Sequence, residues 1–123
     1  MKRSLTLTCG SVSLVGKEGC PVKLDTDGTV LICAAAADEA IGTLDRGGAI
    51  GADVDVCVNG DSMTGLPVTG TVYRGQVATV NSAGTGFTGG KTDAATFVGR
   101  FTQNGVSGDY VPAFIFAPVK HKA

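Results

Sequence analysis

The chain has no tryptophan, a single histidine and only two tyrosines among 123 residues. Imidazole chemistry would have to rest on His121 alone, third from the last residue, where chains fray. No apolar run nears the roughly 20 residues that cross a bilayer. The longest, Val30 to Ala37, stops at Asp38-Glu39, so no membrane partner is expected. An excess of positive charge is also missing. Ten Lys and Arg stand against 11 Asp and Glu, a net charge of −1. Direct nucleic-acid binding, which is driven by cations displacing counterions from phosphate, is therefore not expected. Cysteines are few and scattered. Cys9, Cys20, Cys33 and Cys57 stand too far apart for a CxxC redox pair or a zinc knuckle. With no export signal legible, they read as reduced thiols used as small apolar side chains. Leucine is scarce, which excludes a helical bundle.

What is abundant is glycine, valine and threonine. Nineteen glycines make up about 15% of the chain, double the usual share. Glycine turns between short Val/Thr strands indicate an all-β barrel or sandwich. A hydrophobic content of 43% argues against disorder. The length fits one domain, or two half-size units fused into one. At the N-terminus, Met1-Lys2-Arg3 precedes an alternation of Leu5, Leu7 and Cys9. It is too short for a signal-peptide core and reads as a half-buried strand.

The sequence also echoes itself. Ile41 to Val54 has a partner 57 residues later, Val98 to Val111. Gly42, Gly48, Gly51 and Val54 recur as Gly99, Gly105, Gly108 and Val111. Ile41, Leu44 and Val58 match Val98, Phe101 and Ile115. Each copy follows an Ala-rich stretch with acids, Ala34 to Ala40 and Thr92 to Phe97. Further upstream each has strand, turn, strand: Cys20 to Leu24, Asp25 to Gly28 and Thr29 to Ile32, then Gln76 to Val80, Asn81 to Gly84 and a strand near Phe87. The expectation is an all-β fold with one or two short helical turns ending at Gly42 and Gly99, where glycine supplies a positive φ. The six glycines are read as structural turn residues. Two such units, related by a pseudo-two-fold, are expected to close together into one small barrel. The organisation expected is an N-terminal arm or extra strand (residues 1–11), a barrel (12–118) with repeats at about 12–58 and 69–116 and a linker at 59–68, and a basic tail (119–123).

Several residues tempt a chemical reading. Val58-Asn59-Gly60-Asp61-Ser62-Met63 resembles the Ser-Met segment of the self-cleaving repressor and signal-peptidase group, in which a neutral lysine activates the serine. Here no Asp-Gly-Asp follows, and the first downstream lysine, Lys91, lies in a Gly-rich stretch that does not promise burial. Gly89-Gly90-Lys91-Thr92 ends like a phosphate loop but lacks the parallel strand and long helix around it. Asp53 and Asp55 share one face of a strand, as a solvated face would have them. No catalytic residue, metal site or cofactor is expected. The alternatives carried forward are a Ser-Lys peptidase using Ser62 and a small-ligand module using the barrel mouth.

The repeated pattern of an apolar residue, Gly, a Gly-rich turn and Gly-x-x-Val-x-Val after strand–turn–strand resembles the capsid cement or decoration proteins of tailed bacteriophages, from about Val12 to Phe116. The resemblance implies a small β-barrel on the outside of a mature capsid, in the virion and assembled in the host cytoplasm, with no catalysis and no cofactor. It implies the major capsid protein as partner and self-association, a trimer before a dimer. Four cysteines and the Asn59 to Gly70 insertion depart from the family pattern. Four of the ten cations, Lys2, Arg3, Lys120 and Lys122, lie at the two ends. Lys2, Arg3, Leu5 and Leu7 are the expected partner contacts, with the strand adding to a neighbour's sheet edge.

Overall fold

The computed structural model describes residues 3–35, 38–59, 65–84, 86–90 and 96–120. Among these there are strands and turns but no helix. The first half holds β1 (Arg3–Thr8), β2 (Pro21–Leu24), β3 (Val30–Ile32), β4 (Gly42–Arg46) and β5 (Asp53–Asn59). The second holds β6 (Leu66–Pro67), β7 (Val77–Val80), β8 (Phe87–Gly89), β9 (Thr96–Phe101), β10 (Tyr110–Val111) and β11 (Ala113–Lys120). The all-β expectation holds, and it follows from short β-branched runs cut by glycine turns.

The first half is an antiparallel sheet in the order β1-β5-β4-β2-β3. Its two edges meet where Cys9, just past β1, bridges in parallel to Val30 at the start of β3. The Gly10 amide donates to the Val30 carbonyl at 2.9 Å there. The ring encloses Cys9, Leu14, Val22, Val30, Leu44, Val54 and Val56. In the second half β11-β9-β7-β8 form one sheet and β10-β6 a pair. Val68 bridges in parallel to Phe87, and the Thr69 amide donates to the Phe87 carbonyl at 2.9 Å.

The pairings of the two halves correspond at an offset that stays between 56 and 59 residues. Thr43–Cys57 and Leu44–Val56 across β4 and β5 correspond to Arg100–Phe114 and Phe101–Ala113 across β9 and β11. Lys23–Leu31 and Leu24–Val30 correspond to Thr79–Thr88 and Val80–Phe87. Leu7–Val54 and Thr8–Asp53 correspond to Leu66–Val111 and Pro67–Tyr110. Loop hydrogen bonds follow suit. The Leu14 amide donates to Gly48 and the Val72 amide to Gly105, both at 2.9 Å.

The structure adds detail to the sequence reading and departs from it at several points. Among the described residues every strand pairing lies within one half, and none joins a strand of the first half to a strand of the second. Corresponding positions of the two halves are covered unequally, as described below. Of the N-terminal arm or extra strand expected at residues 1–11, residues 3–8 are a strand that pairs with β5 along its length, from Arg3–Asn59 to Thr8–Asp53. It also places Cys9 in the core and packs Leu7 against it. Likewise β6 falls inside what the sequence suggested was linker. Finally, Gly42 and Gly99 do not cap helices and have no positive φ. They lie in strands, where a β-carbon on Gly42 would strike the Cys57 carbonyl oxygen and one on Gly99 the Phe114 carbonyl oxygen.

Candidate partner-binding surface

Of the expected contacts, Lys2 lies outside the described residues, as do Ser62, Met63, Lys91, His121 and Lys122. Arg3 begins β1 opposite Asn59, and Lys120 ends β11 opposite Thr96. β1 is the edge strand of its sheet. Leu5, opposite Val56 near the start of β1, is 49% exposed. Leu7, on the same face, is partly buried against the first core. The structure therefore puts the two leucines on one strand, one at the surface and one at the rim of the ring.

On the face that carries Asp53 and Asp55, side chains link neighbouring strands. Asp55 accepts from Thr6 Oγ1 at 2.8 Å and from Arg46 Nε at 2.9 Å. Arg46 also donates to the Asp53 carbonyl at 3.2 Å. These contacts lace β1, β5 and β4 together on the solvent side.

The two glycine turns present apolar tips. Gly51 and Gly108 adopt φ of +81° and +95° and so permit the reversal. The Ala52 amide donates to Ala49 at 2.9 Å and the Asp109 amide to Val106 at 3.0 Å. The Asp109 carboxylate accepts from the Val106 amide at 3.0 Å and fixes the second turn. Gly48 packs near Val54 and Gly105 against Val111 and Val72, where a side chain would crowd the core. Ile50 and Val106, on these turns, are both exposed. Tyr73, Tyr110, Leu24 and Phe114 are further exposed apolar or aromatic side chains that sequence reasoning missed. Phe114 alternates with the buried Ala113 and Ile115, and that alternation was the available signal.

The thiols are built into the interior. All four are buried, and none is in a disulfide. Burial pushes the Cys33 thiol up to about 12, with the nearby Asp38 charge adding to it, and raises Cys20 as well. Both stay protonated at neutral pH, when only a thiolate attacks. Among the described residues no group of three or more His, Cys, Asp or Glu is placed to hold a metal ion.

One polar cluster stitches the halves together. Asp38 accepts from the Ala34 and Ala35 amides at 2.6 and 3.1 Å and from Lys23 Nζ at 3.0 Å. These donors hold its carboxyl below the usual range, the Ala34 amide most. The Asp38 carbonyl accepts from Thr96 Oγ1, across the junction, at 2.9 Å. Comparison with known protein families and with curated protein sequences finds no match.

Proposed function

We propose that the chain is a structural protein that decorates the outer surface of a tailed-bacteriophage capsid, binding major capsid protein subunits and associating with its own kind. The observation that carries this reading is the presentation of apolar tips on paired rigid turns. Ile50 and Val106 stand exposed on glycine turns whose backbones are pinned to the two rings. Preordered apolar side chains bind with little further loss of conformational freedom. Each contact is weak alone, and a lattice of identical capsid sites multiplies it. The edge of β1, with Leu5 at the surface, offers main-chain groups for strand addition beside them.

The test is co-sedimentation of the chain with expanded empty heads of the phage that encodes it. Saturable binding is expected, and Ile50→Asp with Val106→Asp should lose it while the fold persists. Absence of binding by the wild-type chain to such heads sinks the reading.

A further inference from the structure

The two halves correspond in pairing but not in exposure, and the differences lie on two faces. One face is the mouth of each ring. In the second half Leu66, Val80, Val98 and Ile115 are all buried. Their counterparts in the first half are Leu7, Leu24, Ile41 and Val58. Leu24 is 48% exposed where Val80 is 1% exposed, and the other three are only partly buried.

The second face is the outer surface of the central strand pair. In the first half Thr43 and Cys57 are buried although they point away from their own core. Their counterparts, Arg100 and Phe114, are exposed, Phe114 by 53% against 1% for Cys57.

The two asymmetries have one cause. The outer face of the first half sits on the mouth of the second. Cys33, Ala40 and Cys57 join the second half's core cluster, and β11 lies against β5 and β4. Gly84, in the turn at that mouth, closes on the Cys33 backbone so tightly that a β-carbon would come within 2.5 Å of its carbonyl. The matching turn of the first half, Asp25 to Gly28, has no such cover and Gly28 is exposed.

Such an arrangement is heterologous, with an outer face on one side and a mouth on the other, and it leaves one of each unused. We infer that the unused mouth (Leu7, Leu24, Ile41, Val58) receives the unused outer face (Arg100, Phe114) of a second copy of this chain, repeating between chains the junction found within one. Continuity with the existing junction identifies the occupant. Charge agrees with it: Arg100, which donates to the Gly75 carbonyl at 2.8 Å and is exposed, lies on the outer face, and Asp25 and Asp27 lie on the turn beside the mouth. Phe114 would supply to the mouth the apolar cover that Cys57 supplies within the chain. Head-to-tail contacts of this kind close into rings or extend into filaments. This inference deepens the self-association within the capsid reading but stands on the correspondence of the halves alone. A chain that assembles this way and ignores capsids preserves it.

The test uses the full chain and two exposed substitutions, Leu24→Asp to spoil the mouth and Phe114→Asp to spoil the outer face, with circular dichroism confirming the fold. Sedimentation velocity on the wild type should show assembly beyond a dimer as concentration rises to about 1 mM, the weak end of specific association. Each variant alone should remain monomeric where the wild type assembles. An equimolar mixture of the two should form a 1:1 dimer and nothing larger, because it contains one sound mouth and one sound outer face. A wild type that stays monomeric, variants that assemble unchanged, or a mixture that stays monomeric each overturn the inference. If an aspartate variant unfolds, Leu24→Ser and Phe114→Ser are read in the same way.

Discussion

Gly42 lies so close beneath the carbonyl oxygen of Cys57 that no β-carbon fits between the two strands. Gly99 and Phe114 repeat the relationship in the second half. Gly42→Ala and Gly99→Ala should therefore force the strands apart, at about 1–3 kcal/mol each, the usual cost of overpacking. Gly51→Ala has open space but a positive φ and should cost about 1–2 kcal/mol from backbone strain. Denaturant unfolding of the three variants measures both. A Gly42→Ala protein as stable as wild type would show that the strands are not held as closely as described.

The two cores solve the same packing problem with different sizes. Leu44 faces Val56 across β4 and β5, whereas Phe101 faces Ala113 across β9 and β11. Phe101→Leu should leave a gap and Ala113→Val should overfill, each destabilising by about 1–3 kcal/mol. The double variant should be more stable than the sum of the two predicts, because it restores the first half's pair. A strictly additive double-mutant cycle would separate the two sites.

Alkali should weaken the fold through Cys33. Its folded value is raised to about 12 from an ordinary 9. The stability attached to the protonated thiol is thus complete below about pH 9 and is lost as pH rises toward 12. Native protein at pH 8 should resist alkylation at Cys33, and urea should release it. Mass spectrometry of iodoacetamide-treated protein checks both.

Acid acts through Asp38 in the opposite sense. Its folded value is depressed, so its contribution is present above the unfolded value and is lost as pH falls through the folded one. Asp38→Ala should cost about 1–2 kcal/mol at neutral pH through the lost amide contacts. It should also flatten the acid limb of stability against pH. An unchanged acid limb would mean that other carboxylates govern it.

Deleting residues 3–9 should unfold the first half rather than release a folded remainder. The deletion removes β1 and takes Leu7 and Cys9 from the core. Loss of the protected amides of β4 and β5 in hydrogen exchange is the expected readout.

The sequence revealed the all-β class and the spacing of the correspondence, because valine alternation and glycine turns are local signals. It hid the role of Gly42 and Gly99, since a glycine required by a neighbouring carbonyl looks the same as one required by a turn. It also misplaced β1. Leu5, Leu7 and Cys9 showed a strand, but only its partner β5, some fifty residues on, shows that the strand belongs to the ring. The short copy of that strand, β6, was unreadable in Leu66-Pro67. The surface was the least legible part. Phe114 and Cys57 hold matching positions, and nothing in either residue says which one is covered by the other half.

The junction that puts Cys33, Ala40 and Cys57 into the second core runs one way only. Among the described residues the first core cluster contains none from the second half, while the second includes Cys33, Ala40 and Cys57 of the first. On the ribosome, where the N-terminal portion emerges first, the half whose core cluster is built from its own described residues is the half that is made first. The residues that Phe87 and Phe101 share a core with, Cys33, Ala40 and Cys57, precede them in the chain. Order of synthesis and order of dependence coincide, so the more aromatic core need never wait exposed for its lid.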